Sequence, residues 1–182
     1  TLSLHDALPI CTDKFLEKLC NSDGVSGYES GLNTSIIEAF EKYTNKIEVD
    51  KLGNIIAVKE GSIKDEKEKI KIMIAGHMDE IGLIVTKIEN NGFLRFANIG
   101  GIDPRTLLGQ EVIIHGKEEV FGVIGAKPPH LQEPSERSKA VKREDMSIDV
   151  GYDKENVEKL INIGDYITIR RSLNKLQGRT VT

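Results

Sequence analysis

Residues 69–82, KIKIMIAGHMDEIG, limit the possible folds of this chain more than any other part of its sequence. The first half of the stretch alternates isoleucine with lysine or methionine, and a period of two is typical of a β-strand with one apolar face. Gly76 ends the alternation, and polar residues follow it at once. We therefore predict a strand whose apolar face carries Ile70, Ile72 and Ile74.

His77 and Asp79 come directly after this predicted strand. Residues two apart in an extended chain point to the same side, so the two side chains can share one face. Open α/β sheets bind ligands at the carboxyl ends of their strands, which suggests that His77 is a zinc ligand whose ring Asp79 orients. The alternative is a histidine and an acid in a polar loop, because zinc takes about three or four ligands and this pattern offers one.

Composition restricts the class of protein. The chain has 182 residues, of which 38% are hydrophobic and 30% charged, as in a soluble globular protein of one domain or slightly more. A net charge of -4 argues against a nucleic-acid partner, and the absence of a long apolar run argues against a membrane partner. Two cysteines are too few for a disulfide framework, so we expect a reducing, cytoplasmic setting.

The spacing of apolar residues changes at Gly82. Before it, the pattern predicts two amphipathic helices and a strand pair over residues 47–50 and 54–58. After it, short strands separated by glycine-containing turns predict a small β-barrel, and the turn Asn90-Asn91-Gly92 places glycine where a positive φ is needed. The predicted barrel strands are residues 83–89, 93–98, 111–115, 120–125, 147–150 and 166–170, and one helix is predicted at 153–161.

This change predicts an insertion of one domain into another. Residues 1–10, TLSLHDALPI, look like a non-native leader and carry no part of the site argument. Residues 11–82 form the first part of an α/β domain, 83–166 the inserted β-barrel, and 167–182 the return to the first domain.

Three other residues are candidates for a chemical role. Ser26 lies between two glycines in a tight loop and has no visible base, so the sequence gives no support for a serine nucleophile. His115 falls late in a predicted barrel strand and His130 follows two prolines in a turn, so both are expected to have structural roles.

Seven short motifs between residues 24 and 165 resemble the glutamyl-aminopeptidase family of dinuclear zinc peptidases, which includes the tetrahedral (TET) aminopeptidases, and the resemblance as a whole covers about residues 12–182. No single motif is decisive, but their order and spacing agree with the family. They are GVSGYE (24–29), VDKLGN (49–54), GHMDEIGLIVTKI (76–88), IGGIDPRTLLGQ (99–110), GVIGAKPPH (122–130), IDVG (148–151) and IGD (163–165).

The resemblance implies an α/β fold, namely an incomplete zinc-peptidase α/β/α catalytic domain interrupted by an inserted small β-barrel that serves in dimerisation. In this family's pattern His77 matches the first zinc ligand and Asp79 matches the carboxylate that supports it; no role is assigned to Glu80. The family's bridging Asp follows a segment that resembles residues 176–182, and its catalytic Glu pair and remaining ligands come later. The resemblance therefore implies that this chain alone is inactive.

The resemblance also implies a reaction and partners for the full-length protein. Two divalent metal ions, zinc with cobalt or manganese as alternatives, would activate a water that hydrolyses the N-terminal residue from short peptides. The protein would form a homo-oligomer, a dimer with a dodecamer as the larger form. The alternative is a non-catalytic barrel that serves in dimerisation and assembly, with a vestigial α/β segment.

Overall fold

A computed structural model of the chain describes residues 13–63, 69–131, 139–177 and 181. These residues belong to two compact units. The first unit contains the described residues up to Asp79 together with those from Ser172 onward, and the barrel unit spans Glu80–Arg171. The predicted leader, residues 1–10, lies outside the described residues.

The barrel unit contains six strands that close into a β-barrel. They are β3 Gly82–Ile88, β4 Leu94–Ile99, β5 Glu111–His115, β6 Glu119–Ala126, β7 Met146–Asp149 and β8 Tyr166–Ile169. Around the barrel their order is β3-β4-β7-β6-β5-β8, and all neighbouring strands are antiparallel. A helix, α3 (Lys154–Leu160), precedes the last strand, and the side chain of Asp153 caps it by accepting a hydrogen bond from the Asn156 amide.

Alternation of buried and exposed residues fills the barrel with apolar side chains. In β6, Val120 and Ile124 are buried while Phe121 and Val123 are exposed, as expected for a strand with one face toward a core. Fourteen buried apolar residues from all six strands, α3 and the connecting segments form one cluster. The predicted mixed α/β fold with a small β-barrel is therefore confirmed.

The first unit consists of short elements. Helical residues 13–20 (α1) and helix α2 (Ser30–Glu41) precede a hairpin of β1 (Ile47–Val49) and β2 (Ile55–Ala57). Asp50 closes the hairpin turn, because its carboxylate accepts hydrogen bonds from the backbone amides of Leu52 and Asn54. No helix in the described part of the chain combines the length and the apolar character that crossing a membrane requires.

The predicted strand in residues 70–74 is wrong. The structure assigns no strand there, and Ile70, Ile72 and Ile74 are between 81% and 94% exposed. A β-strand requires a neighbouring strand to satisfy its backbone N–H and C=O groups, and no described residue pairs with this segment. Alternation in the sequence indicates which face a strand would bury, but it cannot supply the partner.

The barrel also ends later than expected. The predicted boundary after residue 166 falls inside β8, which pairs with β3 on one side and β5 on the other. Residues 167–169 are therefore needed to close the barrel, and the compact unit continues to Arg171.

Candidate metal-binding site

The first unit holds Ser26 at the tip of a tight turn. The amide of Tyr28 donates to the carbonyl of Val25 over 2.7 Å, and Gly27 has a φ of +89°. Among the described residues only glycines have a positive φ, so Ser26 does not, and the turn is type II with glycine at its third position. The GVSGYE motif therefore forms this turn because Gly27 adopts a backbone conformation that other residues rarely adopt.

Packing against helix α2 anchors the turn. Val25 is fully buried and Leu32 of α2 almost so. Gly24 lies so close to α2 that an added Cβ would be 2.4 Å from Leu32 Cδ1. The amide of Gly27 donates to the Glu29 side chain over 2.7 Å. The turn is thus held on both sides of Ser26.

The Asp79 carboxylate contacts both His77 and Ser26. His77 Nδ1 lies 3.1 Å from Asp79 Oδ1 and 2.9 Å from the Asp79 backbone carbonyl oxygen. The Ser26 hydroxyl donates to the other carboxylate oxygen, Asp79 Oδ2. Among the described residues the carboxylate therefore has one side-chain partner on each oxygen, and the two partners come from segments about fifty residues apart in sequence.

The orientation of the His77 ring leaves one nitrogen available to a ligand. Its Nδ1 faces two oxygens of Asp79, so the hydrogen-bonding geometry favours the tautomer with the proton on Nδ1. The lone pair then lies on Nε2. Because the His77 side chain is 85% exposed, packing does not enclose Nε2.

The same contacts keep Asp79 ionised. The Ser26 hydroxyl, and after it the His77 ring, hold the pKa of the Asp79 carboxyl below its ordinary value. Hydrogen bonds to the charged form of a carboxyl stabilise that form. An ionised carboxylate on the Nδ1 side is the usual support of a metal-bound imidazole.

Among the described residues, His77 has the properties of one ligand of a metal centre. Neutral imidazole is a common zinc ligand, and His77 presents such a nitrogen. In the described ranges, however, no group of three ligating side chains includes His77. The assignment of His77 as a ligand and of Asp79 as its support stays a prediction, although the structure brings the two into contact.

Sequence reasoning considered Ser26 only as a nucleophile and missed its contact with Asp79. That contact joins positions 53 apart, and no local pattern places them together. The remaining candidates lie elsewhere. His115 stacks on Tyr166 with ring centroids 4.2 Å apart and lies 2.9 Å from the Thr168 hydroxyl, while His130 lies in a 3-10 turn, Pro129–Leu131.

In a comparison with protein families, the chain matches the model of the M42 glutamyl aminopeptidases over residues 53–182. The chain is also 37% identical over 141 residues to a lysyl aminopeptidase of Pyrococcus furiosus, a match that covers 76% of this chain and 39% of the relative.

The solved structures similar to this chain include those of two TET peptidases. A TET aminopeptidase from a marine sediment archaeon of the Thaumarchaeota superposes with a TM-score of 0.84 at 34% identity, covering 94% of this chain and 47% of that protein. The TET1 peptidase of Pyrococcus horikoshii, which can assemble into a tetrahedron or a large octahedral shell, superposes with a TM-score of 0.76 at 34% identity, covering 91% and 48%. The chain spans less than half the length of each of these proteins.

Proposed function

Because this chain belongs to the M42 glutamyl aminopeptidase family, we propose that the protein is a metal-dependent aminopeptidase that hydrolyses N-terminal residues from peptides. The observation that carries the proposal is the pair of His77 and Asp79, which lies within the matched residues and has a ring nitrogen directed away from its carboxylate partner. A similar relative is named a lysyl aminopeptidase, which supports the reaction class.

Two divalent ions, zinc with cobalt or manganese as alternatives, would lower the pKa of a bound water and polarise the scissile carbonyl. The residues of this chain have simpler tasks. His77 offers the Nε2 lone pair as one ligand. Asp79 accepts a hydrogen bond from Nδ1–H and fixes the orientation of the ring.

The 182-residue chain on its own is proposed to be inactive. One histidine cannot hold a catalytic metal ion with useful affinity, since catalytic zinc takes about three protein ligands. The test is hydrolysis of aminoacyl-p-nitroanilides with added Zn²⁺ or Co²⁺, with His77→Ala as the matched control. We expect equal, background rates for both chains. Turnover that His77→Ala abolishes would contradict the inactivity and support the aminopeptidase assignment.

The aminopeptidase assignment itself is tested by reading the coding sequence past Thr182. We expect an Asp-Asn-Arg segment, a Glu-Glu pair and a later histidine, and a protein carrying them should hydrolyse the same substrates. A stop codon directly after Thr182 would favour the second candidate, a non-catalytic barrel that serves in dimerisation and assembly. The closed, fully packed barrel is the observation that supports this second candidate.

The proposed partners are short peptides and further copies of the same chain. The TET1 peptidase of Pyrococcus horikoshii can assemble into closed shells, which supports a homo-oligomer, a dimer with a dodecamer as the larger form. Light scattering on the full-length protein would measure this, and a monomer at all concentrations would contradict it. The low cysteine content supports a cytoplasmic location.

A further inference from the structure

We propose that Ser26 is a positioning residue whose hydroxyl holds the Asp79 carboxylate and, through it, sets the orientation and tautomer of the His77 ring. The inference rests on the proposed function for the purpose of that ring, which is to offer Nε2 to a metal ion. Its geometric content depends only on the contacts among these three residues.

The first step is the restraint on the carboxylate. The torsion that rotates a carboxylate about its last bond is broad, so one hydrogen bond leaves it free to turn. In this site Asp79 Oδ1 faces His77 Nδ1 and Oδ2 accepts the Ser26 hydroxyl. Among the described side chains these two are the hydrogen-bond partners of the carboxylate, and the backbone of Asp79 itself adds a further contact. Without Ser26, the His77 ring would be the one described side chain that still holds the carboxylate.

The second step is the rigidity of the donor. Ser26 is the second residue of a type II turn that is closed by the Tyr28 amide and requires the positive φ of Gly27. Val25, its neighbour, is fully buried. The hydroxyl is therefore presented from a fixed backbone, and little conformational entropy is lost when it binds the carboxylate. A group held in this way can position another side chain.

The third step links the carboxylate to the ring. Two oxygens of Asp79 face His77 Nδ1: one belongs to the carboxylate and the other to the backbone carbonyl. Both favour the tautomer with the proton on Nδ1, which leaves the lone pair on Nε2. Ser26 acts on the carboxylate alone, so its removal should shift the tautomer equilibrium in part and should not abolish the preference.

The experiment measures the tautomer directly. Two-bond ¹H–¹⁵N spectra of the histidine rings are recorded on the metal-free protein at about pH 8.5, roughly two units above the ordinary histidine pKa. We expect wild-type His77 to be mainly the Nδ1–H form. Ser26→Ala should lower the ratio of the Nδ1–H to the Nε2–H form by roughly two- to tenfold, the effect of one net hydrogen bond.

Three controls make the result specific. Ser26→Thr keeps the hydroxyl and should keep the wild-type ratio. Asp79→Ala removes the carboxylate and should lower the ratio at least as much as Ser26→Ala does. His115 lies in the barrel beside the Thr168 hydroxyl and should give unchanged ring signals in every variant.

An unchanged ratio in Ser26→Ala overturns the proposal, whether or not Asp79→Ala changes it. A wild-type His77 that is mainly the Nε2–H form overturns it as well. If Ser26→Ala loses the dispersed amide signals of helix α2, Ser26→Cys takes its place, because a thiol has nearly the same shape and is a weaker donor. An unchanged ratio in that variant would also be contrary to the proposal.

The spectra are recorded without metal or peptide. Failure of the full-length protein to hydrolyse peptides would therefore refute the proposed function and leave the role of Ser26 standing. An unchanged tautomer would refute the role of Ser26 and leave the proposed function standing.

Discussion

Val120 and Ile124 lie on one face of β6, and the isoleucines of residues 70–74 fall at every second position, yet the first set is buried and the second is exposed. The difference lies in the neighbours. Strand β6 pairs with β5 on one side and β7 on the other, whereas residues 70–74 pair with no described residue. An alternating pattern is therefore not sufficient for a half-buried strand.

The two units also differ in how many neighbours their strands have and in how many apolar residues they bury. Closure of the barrel gives each of its six strands two neighbours and leaves no open edge. The first unit has one hairpin with three residues in each strand, and Val25 and Leu32 are its buried apolar residues among those described. A lone two-stranded hairpin is marginally stable in water, so we expect the barrel unit to dominate the stability of the chain.

The largest expected difference in stability is between two isoleucine substitutions, one in the barrel unit and one in the first unit. Ile148 is fully buried in the barrel core, and Ile72 is 81% exposed. Ile148→Ala should lower the free energy of unfolding by about 2–5 kcal/mol, because it leaves a cavity among packed neighbours. Ile72→Ala should change it by about 0.5 kcal/mol or less. Urea unfolding measures both, and equal losses would remove the contrast between the units.

A smaller loss of stability should follow when a methyl group is added to strand β6 where its neighbours leave no room. A Cβ at Gly122 would lie 2.6 Å from Ile148 Cγ2, so Gly122→Ala should cost about 1–3 kcal/mol through overpacking. Gly125, on the same strand, has open space where its Cβ would be. Gly125→Ala is the control and should be neutral or slightly stabilising. A tolerated Gly122→Ala would indicate that the barrel packs more loosely than its buried core suggests.

The smallest effect should be a pH dependence of the barrel. The Arg95 guanidinium donates to Glu89 and lowers the pKa of that carboxyl. A lowered folded-state pKa stabilises the fold above the unfolded-state value of 4.5, and this contribution is lost as the pH falls below it. The loss should be about 1 kcal/mol at most, since the pair is partly exposed. Thermal unfolding between pH 7 and about pH 3 would measure it.

Glu89→Gln should remove this part of the pH dependence. Glu155→Gln is the control, because that side chain is 84% exposed and should leave the profile as it is. If the stability of Glu89→Gln falls with acid as steeply as that of the wild type, the ion pair is not the source.

Much of the barrel was predictable from the sequence. Each of its six strands lies within one residue of its predicted ends, and Gly92 has the positive φ, +87°, that the turn Asn90-Asn91-Gly92 requires. Local rules help here because three of the five connections, β3–β4, β5–β6 and β6–β7, join strands that are neighbours in the barrel. The domain boundary predicted after residue 166 cuts through the strand predicted at 166–170, and the pairing of β8 on both sides shows that the whole strand belongs to the barrel.

One part of the candidate site was also predictable from the local sequence, and another part was not. Local spacing was enough to predict that His77 and Asp79 share a face, since residues two apart in an extended chain point the same way. Ser26 could not be found in this way, because its contact with Asp79 joins distant segments.

The sequence by itself determined which residues could line a strand, close a turn or approach a metal ion, because these properties depend on a residue and its near neighbours. The tertiary structure alone decided which apolar faces are covered and which donor meets the Asp79 carboxylate. Burial and long-range hydrogen bonds require contact between two distant segments. The sequence of either segment alone does not specify which other segment it contacts.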